Sequence, residues 1–120
     1  MRYRLSAEAR IDISGALQWS QAFFGISART RYRKLITIAV QDVSAQPFRV
    51  GSKAEPRLGE GVRTWHLRLS RDHVDLVSGR VKNLRHFLIY RVEGDLVVIG
   101  RLLHDATEFG PHQVAGHIWQ

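Results

Sequence analysis

The chain predicts an α+β domain: an N-terminal strand, an antiparallel two-helix hairpin, and a small, mainly antiparallel sheet, in the order β-α-α-β-β-β. Three observations carry this. Two segments between positions 6 and 46 place apolar residues at helical spacing. Residues 62–69 alternate apolar and polar side chains. Two apolar runs flank Gly94-Asp95, a dipeptide suited to a two-residue hairpin turn.

Residues 2–5 read as a short strand in which Tyr3 and Leu5 alternate with Arg4. Ser6 is a helix N-cap, and Glu8 in the first turn suits the positive end of the helix dipole. Ala9, Ile13, Ala16, Leu17 and Phe24 form one apolar stripe. Gly15 weakens that helix by about 1 kcal/mol relative to Ala, and Gly25 is its stop. Ser27 suits the cap of a second helix, with a stripe of Ala28, Tyr32, Leu35, Ile36, Ala39, Val40 and Val43. The other face of that helix carries Arg29, Arg31, Arg33 and Lys34, and Pro47 marks its end. A link as short as Gly25 folds the two helices back on each other.

Residues 46–61, with Pro47, Gly51, Pro56, Gly59 and Gly61, read as a loop. Residues 62–69 form a strand with Trp65, Leu67 and Leu69 on one face and Thr64, His66 and Arg68 on the other. Residues 70–83 are polar and read as a mobile loop; a hairpin over 86–103 follows. Residues 104–120, with Gly110-Pro111 and Gly116, read as a partly ordered tail. The whole of 1–120 is one domain.

Lys and Arg total 18 against 11 Asp and Glu, a net charge of +7, and the lysines are Lys34, Lys53 and Lys82 alone. Arg grips planar anions in two-point contacts, so an acidic partner or a nucleic-acid complex is expected; a merely solvated basic surface is the alternative. The chain has no cysteine, which excludes disulfides and thiolate metal sites and suits a reducing cytoplasm. No run reaches the ~18 apolar residues of a membrane span, and the first residues lack an apolar signal core. A cytoplasmic protein without a membrane partner is expected.

Several short pieces, in order and at ordinary spacing, carry a resemblance over nearly the whole chain. They are Ser6 to Ala9, Asp12-Ile13, Trp19, Phe24-Gly25 and Tyr32; Gly61, Arg63, Trp65 and His66; Phe87 to Val92; and Arg101 to His104. With them the chain resembles the ParE branch of the ParE/RelE toxin superfamily. The resemblance implies a toxin of a type II toxin–antitoxin pair, encoded beside a ParD-like or other small DNA-binding antitoxin that wraps it. Operator DNA is then reached only through the antitoxin. DNA gyrase is the target the resemblance implies for ParE-type members; RelE-type members cleave messenger RNA on the ribosome. No cofactor is implied.

The ribonuclease branch commonly has a basic residue three positions before the Tyr of its Leu-Ile-Tyr run, where Phe87 stands here. It also commonly has a late Tyr, and none follows Tyr90. Both departures favour a toxin that binds without chemistry. Should RNA be cut, Arg63, His66, Arg85, His86, Arg101 and His104 are the candidates to hold phosphate and move protons. His66, His86 and His104 sit on separate elements without a close ligand pair, so no metal is expected. Gly59 and Gly61 mark a turn.

With Gly94-Asp95 as the turn, Tyr90 pairs with Ile99, Ile89 with Gly100 and Leu88 with Arg101. One face of the hairpin then carries His86, Leu88, Tyr90, Val92, Val97, Ile99, Arg101 and Leu103 toward the helices. Arg101 there needs an acid, and Asp12 is the one in the middle of the first helix. The other face carries Phe87, Ile89, Arg91, Val98, Gly100 and Leu102. Such a face is either bare or roofed by the 70–83 loop or the tail. The bare face, with Trp65, is the expected antitoxin site, and Arg29 and Arg33 are further candidates for the antitoxin or nucleic acid. In the tail, His104, Asp105 and Phe109 are candidate target contacts, with packing of Phe109 on the sheet as the alternative.

Overall fold

A computed structural model describes residues 1–73 and 84–120. The elements are β1 (Arg2–Leu5), α1 (Ala7–Phe24), α2 (Ile26–Ala45), β2 (Lys53–Ala54), β3 (Arg63–His66), β4 (His86–Glu93) and β5 (Leu96–His104). Short 3-10 turns occupy Pro56–Leu58, Leu67–His73, Pro111–Val114 and Gly116–Trp119. The α+β layout is the expected one. The sheet order is β1-β5-β4-β3-β2, with β1 parallel to β5 and every other pair antiparallel, so the sheet is mixed.

Ser6 caps α1 as its chemistry dictates: its hydroxyl oxygen accepts the Ala9 N–H at 2.9 Å and donates its own proton to the Gly100 carbonyl at 2.6 Å. The helices meet through Gly25 alone, whose φ of 91° lies where glycine is favoured. That residue, and not Ser27, is the cap position of α2. The α2 stripe packs as expected, with Tyr32, Leu35, Ile36, Ala39, Val40 and Val43 buried. On α1 the expected stripe holds through Ala9, Ala16 and Leu17, but Phe24 sits half exposed at the hairpin tip.

The strand expected over 62–69 ends at His66, where the chain tightens into a 3-10 turn against α2. The later part of the expected 70–83 loop, residues 74–83, lies outside the described residues. The loop expected over 46–61 contributes the two-residue edge strand β2 and the turn at Pro56–Leu58.

The hairpin turn is at Gly94-Asp95, but its register changes along the strands. Tyr90 pairs with Ile99, whereas Ile89 pairs with Arg101 and Leu88 with Leu102. Gly100 is therefore an extra residue in β5, a β-bulge. The bulge reverses the alternation beyond it. Leu102 faces the helices with Leu88, Tyr90, Val97 and Ile99, and Leu103 faces the opposite side with Phe87, Ile89 and Val98.

That opposite side is roofed. Leu58, Val62, Val114, Ile118 and Trp119 seal it into a second buried cluster. The tail is thus an ordered third layer over the sheet, and the expected bare face is internal.

Candidate functional site

β3 ends, β4 begins and β5 ends at one end of the sheet, and the strand pairing there sets His86 opposite His104 and His66 opposite Phe87. The tip of the helix hairpin stands over this end through Trp19 and Tyr32. Their rings lie 5.2 Å and 5.5 Å from the His86 ring, and the His104 ring lies 5.1 Å from it. Trp19 also meets His104 edge-on at 5.6 Å. His86 and His104, placed apart by sequence, are cross-strand neighbours because the bulge shifts the partner of His86 by one residue.

Hydrogen bonds fix how each ring is used. The Tyr32 hydroxyl meets His86 Nδ1 at 2.7 Å and the Arg85 N–H at 3.4 Å. The backbone amide donates to the Tyr32 oxygen, and the 2.7 Å bond commits His86 Nδ1 to the Tyr32 hydroxyl. Burial, followed by the nearby His104, lowers the His86 pKa to about 4, and burial pushes the Tyr32 phenol well above its usual range. Both groups are neutral at pH 7. His66 Nδ1 accepts the Arg68 N–H at 3.1 Å, and its Nε2 donates to Asp105 at 3.1 Å. Burial lowers the His66 pKa against the pull of Asp105, so this ring is also neutral. Burial pushes the Asp105 carboxyl up, yet bonds from His66 and from Arg85 at 2.9 Å hold it below its ordinary value. His104 Nδ1 accepts the Ala106 N–H at 3.1 Å.

The chemical consequence is specific. A general base needs a ring nitrogen with a free lone pair facing substrate. His66 has its acceptor nitrogen on a backbone amide, and His86 has its Nδ1 bound to Tyr32 inside the core. The cluster is a set of packed rings whose Nδ1 atoms are taken by Tyr32 or by backbone amides, with a charged rim of Arg85 and Asp105.

The His86 burial makes a pH prediction. Its folded pKa, about 4, lies below its ordinary value of 6.5. As pH falls through 6.5 the unfolded chain takes up a proton that the folded chain refuses, so stability is lost downward from there toward pH 4. Urea unfolding should show a loss of about 2 kcal/mol between pH 7.5 and 5. His86→Gln should flatten most of that slope; an equal slope in the variant would place its origin elsewhere.

The other candidates separate. Arg63 lies at the opposite end of β3, where it donates to the Ser52 hydroxyl at 2.7 Å and covers the Phe48 ring. Arg101 turns to α1 and forms a two-point pair with Asp12 at 2.6 and 3.0 Å, as the sequence predicts. Of the ribonuclease candidates, only His66, Arg85, His86 and His104 come together. A cleft of about 260 Å³ opens beside them, with Lys53, His66, Arg68, Phe87, Asp105 and Phe109 in its wall.

The expected antitoxin residues are largely consumed by the fold. Phe87, Ile89, Val98 and Gly100 are under the tail, Leu102 is under the helices, and Trp65 is buried beside α2 with its indole N–H on Ser70. Arg91 lies over the Trp119 ring and pairs with Glu93. Arg29 and Arg33 remain on the hairpin, lining a hollow beside Ile26. Of the target candidates, Asp105 is exposed and His104 belongs to the ring cluster, while Phe109 packs on Phe87 at 5.1 Å beneath Arg57.

The sequence offers the tail as the alternative cover of the sheet face opposite the helices but does not reveal which residues form the roof, nor the exposed hairpin tip. Val114, Ile118 and Trp119 are spaced four and one residues apart, an apolar signal outweighed by Gly110-Pro111 and Gly116. At the tip, Phe23 and Ile26 stand in the open on either side of the Phe24-Gly25 link.

Among the described residues, no helix is long and apolar enough to cross a membrane, and no group of three or more His, Asp or Glu is arranged to hold a metal ion. No protein-family model and no curated protein matches the chain.

Proposed function

We propose that the chain is the toxin of a type II toxin–antitoxin pair of the ParE kind, acting by binding and without chemistry of its own. One observation carries the reading. Residues far apart in sequence that carry the resemblance meet in space: Asp12 holds both Arg101 and the Leu102 N–H, and Ser6 bonds the carbonyl of Gly100 just before them. The motifs at the two ends of the chain thus belong to one structural joint, which supports reading them together as parts of one domain. Fold alone does not assign an activity, so the target, DNA gyrase, rests on the resemblance and on the basic charge. A small DNA-binding antitoxin of the ParD type holds the toxin inactive, in the cytoplasm, and links it to operator DNA. Its contact lies outside the roofed sheet face.

The runner-up is ribosome-dependent RNA cleavage, favoured by the gathering of His66, Arg85, His86 and His104 at one end of the sheet. The occupied ring nitrogens of His66 and His86 weigh against it. Purified chain tested on gyrase supercoiling and on programmed ribosomes separates the two. Loss of supercoiling, relieved by raised salt as expected for a contact that includes DNA phosphates, supports the proposal. A cut message selects the nuclease, and neither effect leaves an inactive relative that serves as a co-repressor.

A further inference from the structure

Among the described residues, the tip of the helix hairpin gathers three large apolar side chains that stand uncovered. Phe23 is 70% exposed, Phe24 47% and Ile26 70%, all within four residues of chain. Trp19 backs them from below, with its ring 6.1 Å from Phe23 and 5.6 Å from Phe24. Single exposed apolar residues need no explanation, but a contiguous patch does. Beside it, Gln21, Ile26, Arg29, Thr30 and Arg33 line a hollow of about 280 Å³. Along the chain the charge here has one sign: residues 13–41 hold Arg29, Arg31, Arg33 and Lys34 and no Asp or Glu. Arg29 is held in place by a 2.8 Å bond to Gln21 across the hairpin.

We propose that this tip docks an acidic polypeptide segment whose large apolar side chains cover Phe23, Phe24 and Ile26 while its carboxylates meet Arg29 and Arg33. Three occupants compete, and the observations favour this one. A second copy related by a two-fold axis would bring the same basic rim against itself, which like charge opposes. A single strand of nucleic acid needs ring faces open to parallel stacking. Here the aromatic rings pack on one another, tilted or edge-on at 45°, 75° and 47°, and the aliphatic Ile26 is as exposed as Phe23. An acidic segment with apolar anchors matches both the greasy centre and the cationic rim, the usual anatomy of a protein interface. Arg29 and Arg33 are also antitoxin candidates in the toxin reading, but the docking rests on the exposure and charge of the tip alone, and its test needs neither gyrase nor ribosome.

The test is a selection from a displayed library of random 16-residue peptides against the full chain, followed by titration of the enriched peptides. Enriched sequences should combine Asp or Glu with large apolar residues. Their binding should fall at least tenfold on Phe23→Ser with Ile26→Ser, and at least tenfold on Arg29→Glu with Arg33→Glu. All four positions lie on exposed helix surface or at its rim, and circular dichroism confirms that the variants fold. Peptides that bind equally to both variants overturn the proposal. So does tighter capture of oligo(dT) or of phosphatidylserine vesicles than of any peptide through the same residues, or a dimer in sedimentation that Phe23→Ser with Ile26→Ser abolishes.

Discussion

Trp119→Ala is expected to cost about 3–5 kcal/mol, although it lies one residue from the last of the chain. The indole is nearly fully buried against the sheet, with Ile118 beside it and the Arg91 guanidinium across its ring at 5.0 Å. Its placement depends on the absence of a side chain at Gly100. A Cβ there would stand 2.8 Å from Ile118 Cγ2 and from the Trp119 ring. Gly100→Ala should therefore cost about 1–3 kcal/mol by overpacking. Combining Gly100→Ala with Trp119→Leu should cost less than the sum of the two single changes, because the smaller ring position leaves room for the methyl group. Thermal unfolding should place Trp119→Ala at least ~10 °C below the parent. A drop of only a degree or two would mean that the tail rests on the sheet without holding the fold. Loss of the roof also bares Phe87, Ile89, Val98 and Leu103, so the variant should bind a hydrophobic dye more strongly than the parent.

How much of this was legible in sequence depends on the range over which each signal acts. Local signals served well: the Ser6 cap, the α2 stripe, the Gly94-Asp95 turn and the order of elements all follow from a few neighbouring residues. The Asp12–Arg101 pair was legible too, because a cation placed near a helical layer has few acids to choose from. The bulge was not. Gly100 reads as an ordinary strand residue, and only the hydroxyl of Ser6 on its carbonyl and the ring of Trp119 over its Cα make an extra residue worthwhile. That one insertion exchanged the faces of Leu102 and Leu103 and brought His104 opposite His86.

The candidate site was half legible for the same reason. The residue types were found, since His66, Arg85, His86 and His104 were named, but their grouping came from pairing across strands. Trp19 and Tyr32, which close over the rings, read only as core. The tail as a roof was one of two readings, and the residues that build it were hidden by their own chemistry. Glycine and proline at 110, 111 and 116 are turn residues, and they shape two 3-10 turns that deliver Val114, Ile118 and Trp119 to the sheet. An apolar sheet face invites a partner, and here the partner is the end of the same chain.

Asp12→Ala is expected to be the most damaging single change in the helical layer, at about 3–5 kcal/mol. The carboxylate accepts three bonds: Arg101 Nε at 2.6 Å, a second Arg101 nitrogen at 3.0 Å, and the Leu102 N–H at 3.0 Å. Its removal leaves a mostly buried guanidinium without its counter-charge and a strand amide without an acceptor, at the bulge where the ladder is already interrupted. The remaining bond of Arg101, to the Gln113 carbonyl at 3.0 Å, ties the pair to the tail. The damage should therefore spread from α1 through β5 to the roof. Asp12→Asn should cost less, since an amide oxygen still accepts the Leu102 N–H, and Arg101→Lys should lose the two-point geometry while keeping the charge. Replacing both Asp12 and Arg101 by Leu should be milder than Asp12→Ala alone, because no charge is then stranded. Urea unfolding of these four variants at pH 7.5 forms the test. A loss below 1 kcal/mol for Asp12→Ala would show that the joint between the two ends of the chain holds without its ion pair.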